Sequence, residues 1–255
     1  MKDTKLQVIK NIQIAKDTYL LQLSMPKDVQ VSCGQFVNVQ VPNRTHLILK
    51  RPLGICEYSN ASFSVCYEIK GKGTNALTEL KSGDNVVVTM PLGNGFVIKP
   101  TEQKVAIVGG GAGLFPLKSI FDSYKNKEFY SFLGFRDAEH SYFIDDFKAN
   151  SKQTYISSND GSIGEKDFVT NLLAKNLDVI KPDVILSCGP KPMYIVLKNV
   201  IQDTNIPTYV SLEERMGCGI GACLVCTCGI KKDGKVENKR VCKDGPVFDI
   251  LKVVL

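Results

Sequence analysis

The stretch KVAIVGGGAG, residues 104–113, is an apolar run that passes directly into glycines. The run predicts a buried strand, and LFPLKSIFDSYKNK (114–127) predicts a helix after it. Glycines in such a turn let the backbone approach a ligand, and the helix N-terminus offers N–H groups to a pyrophosphate. The candidate residues are Gly109, Gly110, Gly111, Ala112 and Gly113. Leu114 replaces the last glycine of G-x-G-x-x-G, so either a nucleotide-binding turn or a tight turn without a ligand fits.

The segments that follow this turn alternate between strands and helices. Predicted strands are 129–135, 153–157, 183–189 and 207–213, and predicted helices are 165–177 and 192–203. This alternation is typical of a parallel α/β domain, which we place at residues 101–212.

A second turn, SCGPKPM (187–193), also ends a predicted strand and begins a helix. Ligands of open parallel sheets lie at the carboxyl ends of the strands. We therefore expect Gly189, Pro190 and Met193 to join the first turn in one nucleotide site. Cys188 would face the same cleft, although burial in the core is the commoner fate of a free cysteine.

Residues 1–100 read as short strands separated by turns. FVNVQV (36–41) and FSVCYEI (63–69) alternate with a period of two, and NVVVTM (85–90) is a more buried run. About six such strands predict a small antiparallel barrel. Arg51 could bind a phosphate through its planar guanidinium group, and the GKGT turn with Gly73 and Thr74 could bind another through backbone and hydroxyl donors.

The segment at 213–255 is rich in cysteine and glycine. Cys218, Cys223 and Cys226 have the spacing C-x4-C-x2-C, and Cys242 follows after fifteen residues. This spacing is typical of plant-type [2Fe–2S] ligation. A zinc site is an alternative, because one C-x2-C pair is present and Cys228 offers another ligand, and thiol redox chemistry is a third. We interpret Cys228 as a buried residue beside the cluster.

Composition limits the classes of function. The chain has 255 residues, 44% of them hydrophobic, and a net charge of +6. Its basic residues are scattered, so we expect no nucleic-acid partner. It lacks a secretory segment and any apolar run near the roughly 18 residues of a membrane span, so we expect a cytoplasmic protein without a membrane partner. Thiols stay reduced there, which favours metal or redox use of the cysteines.

The order of barrel, nucleotide domain and cysteine segment resembles the ferredoxin–NADP reductase-like architecture. More narrowly, it resembles the electron-transfer subunits of class 1B, NAD-dependent dihydroorotate dehydrogenases. The motifs that carry this resemblance run through the whole chain in the family's order: RPLGI, GKGT, PLGNGF, DGSIGEKDFVT, CGPKPM, ERMGCGIGACLVCTC and VCKDGPVF.

The resemblance implies three cofactors and a partner. FAD would be held by Arg51, Pro52, Leu53, Gly54, Tyr67, Glu68, Ile69, Gly73 and Thr74. NAD would lie near Gly109–Gly113 and Cys188–Met193, with Cys188 as a catalytic residue at the nicotinamide–flavin contact. A [2Fe–2S] cluster would take the four cysteines. The partner would be the FMN-containing subunit that oxidises dihydroorotate in pyrimidine biosynthesis, in a heterotetramer.

Two positions depart from the family pattern. Gly54 stands where the family usually has Ser or Thr, whose hydroxyl contacts the flavin. Glu68 stands where relatives often carry a basic residue, so we expect its carboxylate to point away from FAD phosphates or to contact ribose hydroxyls. A related NAD(P)H-dependent subunit that serves ferredoxin or a sulfur compound is the alternative function, and a zinc-stabilised binding protein is another. The intact Cys218 favours the dihydroorotate system.

Overall fold

The computed structural model describes residues 2–42, 44 and 46–255. Its N-terminal part is a closed antiparallel barrel in the order β1-β2-β5-β4-β3-β6, which confirms the predicted barrel. The strands are β1 (Lys2–Ala15), β2 (Thr18–Ser24), β3 (Phe36–Val39), β4 (Arg51–Tyr58), β5 (Ser62–Glu68) and β6 (Asn85–Leu92). The GKGT segment is more than a turn, because a short helix, α1 (Lys72–Leu77), begins within it.

The barrel is covered on part of its outside. All four residues of β3 are buried: Val37 and Val39 lie in the barrel core, whereas Phe36 packs in an apolar cluster that includes Cys226 and Cys242. In β5, Cys66 packs in a cluster with residues of the nucleotide domain. Continuous burial therefore marks the strands that have neighbours on both faces.

The second part is a seven-stranded sheet in the order β10-β9-β8-β7-β11-β12-β15. Its pairs are parallel except for the β12–β15 pair at the edge. The elements are β7 (Lys104–Gly110), α2 (Leu114–Lys118), α3 (Ile120–Ser123), β8 (Glu128–Phe135), α4 (Ile144–Asn150), β9 (Gln153–Ser158), β10 (Glu165–Lys166), α5 (Val169–Ile180), β11 (Val184–Cys188), α6 (Lys191–Ile201), β12 (Thr208–Ser211) and β15 (Val247–Asp249). The predicted α/β class is confirmed.

Two predicted helices were wrong in their bounds. The helix at 114–127 is two short helices, and Ser119 lies at the break, where its hydroxyl donates to the Pro116 carbonyl (2.6 Å) and accepts the Gly34 N–H (3.2 Å). The helix at 165–177 begins only at Val169. Residues 165–166 instead pair with β9, and Asp167 accepts the Phe168 N–H at 2.8 Å. Short polar side chains bond to nearby backbone groups and so compete with the hydrogen bonds of a regular helix.

The C-terminal segment contains a hairpin, β13 (Thr227–Lys232) and β14 (Lys235–Arg240), followed by β15. The sequence pattern missed β15, which joins the nucleotide-domain sheet through Val247–Ser211 pairing. The segment thus packs against both other parts of the chain, and the boundaries proposed at 100/101 and 212/213 stay predictions. Within residues 2–42, 44 and 46–255, none of the helices has the length and apolar character required to span a bilayer.

Candidate functional site

A first cleft, about 330 Å³ in volume, lies between the barrel and the nucleotide domain. Most residues expected to hold FAD line it: Arg51, Pro52, Leu53, Gly54, Tyr67, Glu68 and Thr74. Ile69 and Gly73 are not part of its wall. The Ile69 N–H donates to the Asp17 carbonyl at 2.8 Å, and Gly73 lies against Arg51.

Arg51 rests on Gly73. A Cβ atom on Gly73 would lie 2.0 Å from Arg51 Nε, so only glycine leaves room for the guanidinium group. Arg51 donates to the Leu49 carbonyl, and among the described residues no acidic side chain forms an ion pair with it. A planar cation without an acidic partner fits a phosphate group of FAD.

The turn beside Arg51 is shaped by Thr74. Its hydroxyl accepts the Lys70 N–H at 2.9 Å and donates to the Gly71 carbonyl at 3.3 Å. No side chain caps the N-terminus of α1. The first backbone N–H groups of this short helix are therefore left for an anion next to the Arg51 guanidinium group, which also fits a pyrophosphate.

Glu68 is a residue of the first cleft wall, and its expected direction away from FAD phosphates stays a prediction. Its carboxylate lies in the cleft wall and pairs with Lys70 Nζ at 3.0 Å. The ion pair offsets part of the repulsion that the carboxylate would exert on a phosphate bound in this cleft. The expected contact of Glu68 with ribose hydroxyls stays a prediction.

A second cleft, about 550 Å³, opens at the carboxyl ends of β7, β8, β9 and β11. It brings together both predicted turns: Gly110, Gly111, Ala112 and Gly113 from one, and Gly189, Pro190 and Met193 from the other. Its size, its glycine-lined floor and its place at this sheet edge fit a dinucleotide.

Two glycines explain why these turns meet. Gly109 is buried below the cleft, and a Cβ there would lie 2.2 Å from Leu114 Cδ2, so Gly109 lets α2 pack on β7. A Cβ on Gly113 would lie 2.1 Å from the Cys188 carbonyl oxygen. Gly113 therefore permits the contact between the first turn and the end of β11.

Three further residues of the second cleft were missed by motif reasoning: Arg136, Asn159 and Phe168. Arg136 and Asn159 directly follow strands β8 and β9, and Phe168 precedes α5. The rule that ligands lie at the carboxyl ends of parallel strands would have found Arg136 and Asn159. Phe168 lay inside the helix predicted at 165–177, so this rule gave no signal for it. Phe168 is 66% exposed, so its ring offers an apolar surface at the cleft wall.

The two clefts adjoin. Glu68, Lys70, Ala112 and Glu213 line both of them. Desolvation raises the pKa of the Glu213 carboxyl, an effect that Lys70 opposes and Glu68 reinforces. A nucleotide in one cleft and a flavin in the other would therefore meet beside these four residues.

Cys188 lies at the same junction, in the wall of the first cleft and directly before Gly189 of the second. Its Sγ donates to the Ser211 carbonyl at 3.6 Å, and only 1% of the residue is exposed. Burial raises the pKa of the thiol well above its ordinary value, so it stays neutral at pH 7. A neutral thiol can pack against a bound ring but is a poor nucleophile, and the catalytic role of Cys188 stays a prediction.

The four predicted cluster ligands lie in two pairs. Cys218, Cys223 and Cys226 belong to one loop, called the cysteine loop or cluster loop, and Cys242 lies against it. The Cys218 N–H donates to Cys223 Sγ and the Cys223 N–H donates to Cys218 Sγ, both at 3.4 Å. The Cys242 N–H donates to Cys226 Sγ at 3.5 Å. A [2Fe–2S] cluster binds two thiolates on each iron, so two pairs fit its four ligands. Among the described residues, no three His, Cys, Asp or Glu side chains are gathered around a position for a single metal ion.

The loop backbone is suited to negatively charged sulfur. Cys218 Sγ also accepts the N–H groups of Ile220 (3.4 Å) and Ala222 (3.3 Å). Burial acts to raise the pKa of Cys218, but these N–H donors and that of Cys223 outweigh it and lower the pKa to about 6. Gly219 and Gly221 have φ angles of +71° and +83°, which side chains other than glycine rarely adopt. Such N–H···S bonds also stabilise a bound cluster.

Two other residues near the loop are accounted for. Cys228 lies on β13 opposite Lys239, and burial raises its pKa to about 11. Its interpretation as a residue that does not bind the cluster stays a prediction. Arg240 pairs with Asp244 through two hydrogen bonds (2.9 and 3.1 Å) and donates to the Gly221 carbonyl at 3.3 Å. Asp244 therefore neutralises the charge of Arg240, and the Arg240 side chain connects the cysteine loop at Gly221 to β14.

The departure at Gly54 leads to a first prediction. A Cβ there would lie 3.2 Å from Pro116 Cβ, a tight contact that needs only a small shift. We expect Gly54→Ser to raise the flavin midpoint potential by about 10–30 mV, because one added hydrogen bond is worth about 0.5–1.5 kcal/mol and favours the electron-rich reduced ring. Gly54→Ala is the control, because it adds the contact without the hydroxyl. Equal potentials in the two variants, by spectroelectrochemical titration, would contradict the prediction.

Comparisons with known proteins agree with this arrangement. A family model described as the iron-sulfur cluster binding domain of dihydroorotate dehydrogenase B matches residues 213–254, which favours a cluster over the zinc and thiol-redox alternatives. A solved chain from an NADH-dependent reduced ferredoxin–NADP oxidoreductase, described for flavin-based electron bifurcation, superposes with a TM-score of 0.84 at 25% identity, over 98% of this chain and 89% of that one.

The sequence relatives are more similar. The dihydroorotate dehydrogenase B (NAD(+)) electron transfer subunit of Geobacillus sp. (strain WCH70) is 38% identical, with 100% of both chains covered. The protein of the same description from Caldanaerobacter subterraneus subsp. tengcongensis is 34% identical over 96% of this chain and 95% of its own. At this identity and coverage, the chain belongs to the family of electron transfer subunits of dihydroorotate dehydrogenase B (NAD(+)).

Proposed function

We propose that this chain passes electrons between NAD(H) and a catalytic partner that oxidises dihydroorotate. Dihydroorotate gives up two electrons and two protons to become orotate. NAD⁺ takes up a hydride, and one proton is released. The single observation that carries the proposal is the placement of two adjoining clefts and a paired-cysteine loop in one chain. FAD supplies the exchange between hydride and single-electron transfer that the [2Fe–2S] cluster and NAD cannot make directly.

The residues of the chain bind and orient these groups. Arg51 and the turn at Gly71–Thr74 would hold the phosphates of FAD, and Gly110–Gly113 with Gly189–Met193 would hold NAD. Ala112 and the Glu68–Lys70 ion pair line both clefts, and Cys188 lines the first of them. Cys218, Cys223, Cys226 and Cys242 would bind the cluster, and backbone N–H groups donate to the Sγ atoms of Cys218 and Cys226.

The cysteine loop also lies next to the first cleft. Met216 and Pro246, which flank the loop and its last cysteine in sequence, line that cleft together with Phe36. Residues of the first cleft wall therefore lie within four positions of Cys218 and of Cys242 in the sequence. Such closeness suits electron transfer between FAD and the cluster.

The partner is proposed to be the FMN-containing subunit, in a heterotetramer, docked over the cluster loop. Cys223 is exposed, and large apolar side chains around the loop are exposed as well: Ile48 (82%), Leu49 (52%), Ile220 (43%), Leu224 (60%) and Val225 (55%). Ile48, Leu49 and Ile220 share the wall of a third cleft with Cys218. Exposed apolar groups at this density mark protein interfaces, and electron transfer to a partner requires its redox group close to the cluster.

We expect a charge in this apolar surface to weaken assembly. Leu224→Glu would bury a carboxylate in the interface and should raise the dissociation constant of the complex by about tenfold or more. Val179→Glu on α5 is the matched control, because Val179 is also exposed (80%) but lies in the nucleotide domain. The measurement is titration of the FMN subunit by isothermal calorimetry. Equal affinity of the two variants would place the interface elsewhere.

Phe168 leads to a prediction about the nucleotide. Its exposed ring lines the second cleft with Pro192 and Val196, so we propose that it stacks on the adenine base. Phe168→Ala should raise KM for NADH about tenfold, since stacking contributes about 1–3 kcal/mol, whereas Phe168→Tyr should not. Reduced nicotinamide mononucleotide lacks adenosine, so its KM should be the same in all forms. An equal rise with both donors would contradict the stacking role.

The function itself is tested by assembly. The chain should purify with flavin and iron–sulfur absorption, and should form a complex with the FMN subunit that reduces NAD⁺ with dihydroorotate. Either chain alone should lack this reaction. A chain that binds NADH and FAD but passes electrons only to ferredoxin, or to a sulfur compound, would replace this proposal with the alternative function. Absence of both flavin and cluster absorption would remove the redox proposal altogether.

A further inference from the structure

Asn38 is a buried polar residue on the outer face of the barrel. It lies on β3 between Val37 and Val39, and 1% of it is exposed. Its Nδ2 donates to the Cys218 carbonyl at 3.4 Å, and within the described residues its buried Oδ1 accepts no hydrogen bond. Burying an amide with an unsatisfied oxygen costs stability, about 1–3 kcal/mol. The contact with the Cys218 carbonyl is the one hydrogen bond that the Asn38 side chain makes among the described residues, so it is the contact that offsets part of this cost.

The cluster loop is built to sit against this amide. Gly219 follows Cys218 with a φ angle of +71°, and a Cβ on it would lie 2.0 Å from Asn38 Nδ2. Gly219 therefore serves two purposes. Its positive φ angle allows the loop to turn, and its lack of a side chain allows the loop backbone to contact Asn38 on β3. The contact is made at the first of the four cysteines.

A second asparagine of the barrel forms hydrogen bonds to the backbone that directly follows Cys242, the fourth cysteine. In the turn after β6, Asn94 Nδ2 donates to the carbonyls of Lys243 (3.1 Å) and Asp244 (3.3 Å), and its N–H donates to Gly245 at 2.7 Å. The turn sits tightly there, since a Cβ on Gly93 would lie 2.6 Å from Pro246 Cδ. Asn94 therefore joins the barrel to the backbone that follows Cys242.

The two asparagines contact backbone carbonyls beside different thiol pairs. Cys218 belongs to the pair with Cys223, and Cys242 belongs to the pair with Cys226. Both asparagines are anchored in the barrel whose β4 and β5 line the flavin cleft. One asparagine side chain therefore connects the barrel to the backbone beside each thiol pair. The two thiol pairs and the backbone around them are called the cluster cradle.

We propose that Asn38 and Asn94 are positioning residues that fix the cluster cradle to the flavin barrel and thereby set the rate of electron transfer between FAD and the cluster. This inference rests on the proposed function. Electron transfer rates fall steeply with distance. A small shift of the cradle on the barrel would therefore lower the rate between FAD and the cluster while the four cysteines still bind the cluster. Neither residue contacts the expected nucleotide site.

The test uses the full chain loaded with FAD and cluster, with NADH as reductant in a stopped-flow spectrometer. NADH delivers two electrons as a hydride, and one of them passes on to the oxidised cluster while the other remains on the flavin. Flavin and cluster absorption separate the two steps. Asn38→Ala and Asn94→Ala should leave flavin reduction within about twofold and slow cluster reduction about tenfold, which corresponds to about 1.4 kcal/mol in activation free energy.

Asn150→Ala is the matched control. Asn150 Nδ2 also donates to a backbone carbonyl, that of Asp146 at 2.8 Å, but it lies on α4 of the nucleotide domain. Iron content and the integrated EPR signal of the reduced cluster show whether each variant is fully loaded. A purely structural role would lower these values and leave the transfer rate of loaded molecules unchanged, which would overturn the proposal. Unchanged transfer in fully loaded Asn38→Ala and Asn94→Ala would overturn it equally.

A double-mutant cycle covers the case in which Asn38→Ala fails to load the cluster. Gly219→Ala alone should displace the loop, because its new Cβ meets the Asn38 amide. The same change with Asn38→Ser should slow transfer less than the two single effects predict, since the shorter side chain removes the clash but keeps a hydroxyl donor. Additive effects would show that Asn38 does not set the loop position. Wild-type protein without flavin or cluster would instead refute the proposed function.

Discussion

Cys226→Ser should abolish the cluster, whereas Cys228→Ser should keep it. The two residues are two positions apart and both are buried, but only Cys226 accepts the N–H of Cys242 and lies within a thiol pair. A serine hydroxyl stays protonated near pH 7 and is a poor iron ligand, so we expect the affinity for the cluster to fall by more than about 100-fold. The chain with Cys226→Ser should therefore contain almost no iron or acid-labile sulfide.

The same variant separates the two halves of the electron path. Reduction of ferricyanide by NADH needs only the clefts around FAD and NAD, so we expect Cys226→Ser to keep this rate within about twofold of the wild type. Dihydroorotate-dependent reduction of NAD⁺ in the assembled complex should be lost. A normal EPR signal of the reduced cluster in Cys226→Ser, or its loss in Cys228→Ser, would contradict the ligand assignment.

Arg51→Ala should release FAD. The guanidinium group rests on Gly73, lies in the cleft wall and has no acidic partner among the described residues, so its charge serves a bound anion. A hydrogen bond to a charged group contributes about 1.5–3 kcal/mol, which predicts that the FAD dissociation constant rises about 10- to 150-fold. Fluorescence titration of the flavin-free chain measures this constant.

Two variants accompany Arg51→Ala as controls. Arg51→Lys keeps the charge but loses the planar fork, so its affinity should lie between those of the wild type and Arg51→Ala. Gly73→Ala keeps the arginine but displaces its guanidinium group, because the new Cβ would lie within 2.0 Å of Nε. It should therefore weaken binding as well. FAD affinity within about twofold of the wild type in Arg51→Ala would assign the phosphates to other residues.

The sequence predicted the site best where a motif is local. The spacing of Cys218, Cys223 and Cys226 lies within one loop, so the chain itself brings those thiols near each other. Gly110–Gly113 and Gly189–Met193 were predicted to meet because parallel strands place their carboxyl ends at one edge, a rule independent of the details of packing. The first prediction rests on closeness along the chain, and the second rests on the topology of a parallel sheet.

Features that depend on neighbours distant in sequence were missed or misjudged. β15 was missed because three residues are too few to show the periodicity of a strand. Val247–Asp249 is extended because it pairs with β12. The helix at 165–177 was misjudged because pairing with β9 holds Glu165–Lys166 extended. The ion pair between Glu68 and Lys70, two residues that line both clefts, was also missed.

The sequence by itself therefore determined the order of the parts, the nucleotide turns, the cluster-type cysteine spacing and the family. These properties are encoded by short motifs and by the order in which the motifs follow one another along the chain. Only the tertiary structure decided that Arg51 rests on Gly73, that Glu68 and Glu213 line both clefts, and that Asn38 reaches the backbone of Cys218. Each such contact joins residues far apart in the chain, so packing of the barrel, sheet and cysteine segment against one another was needed to create it.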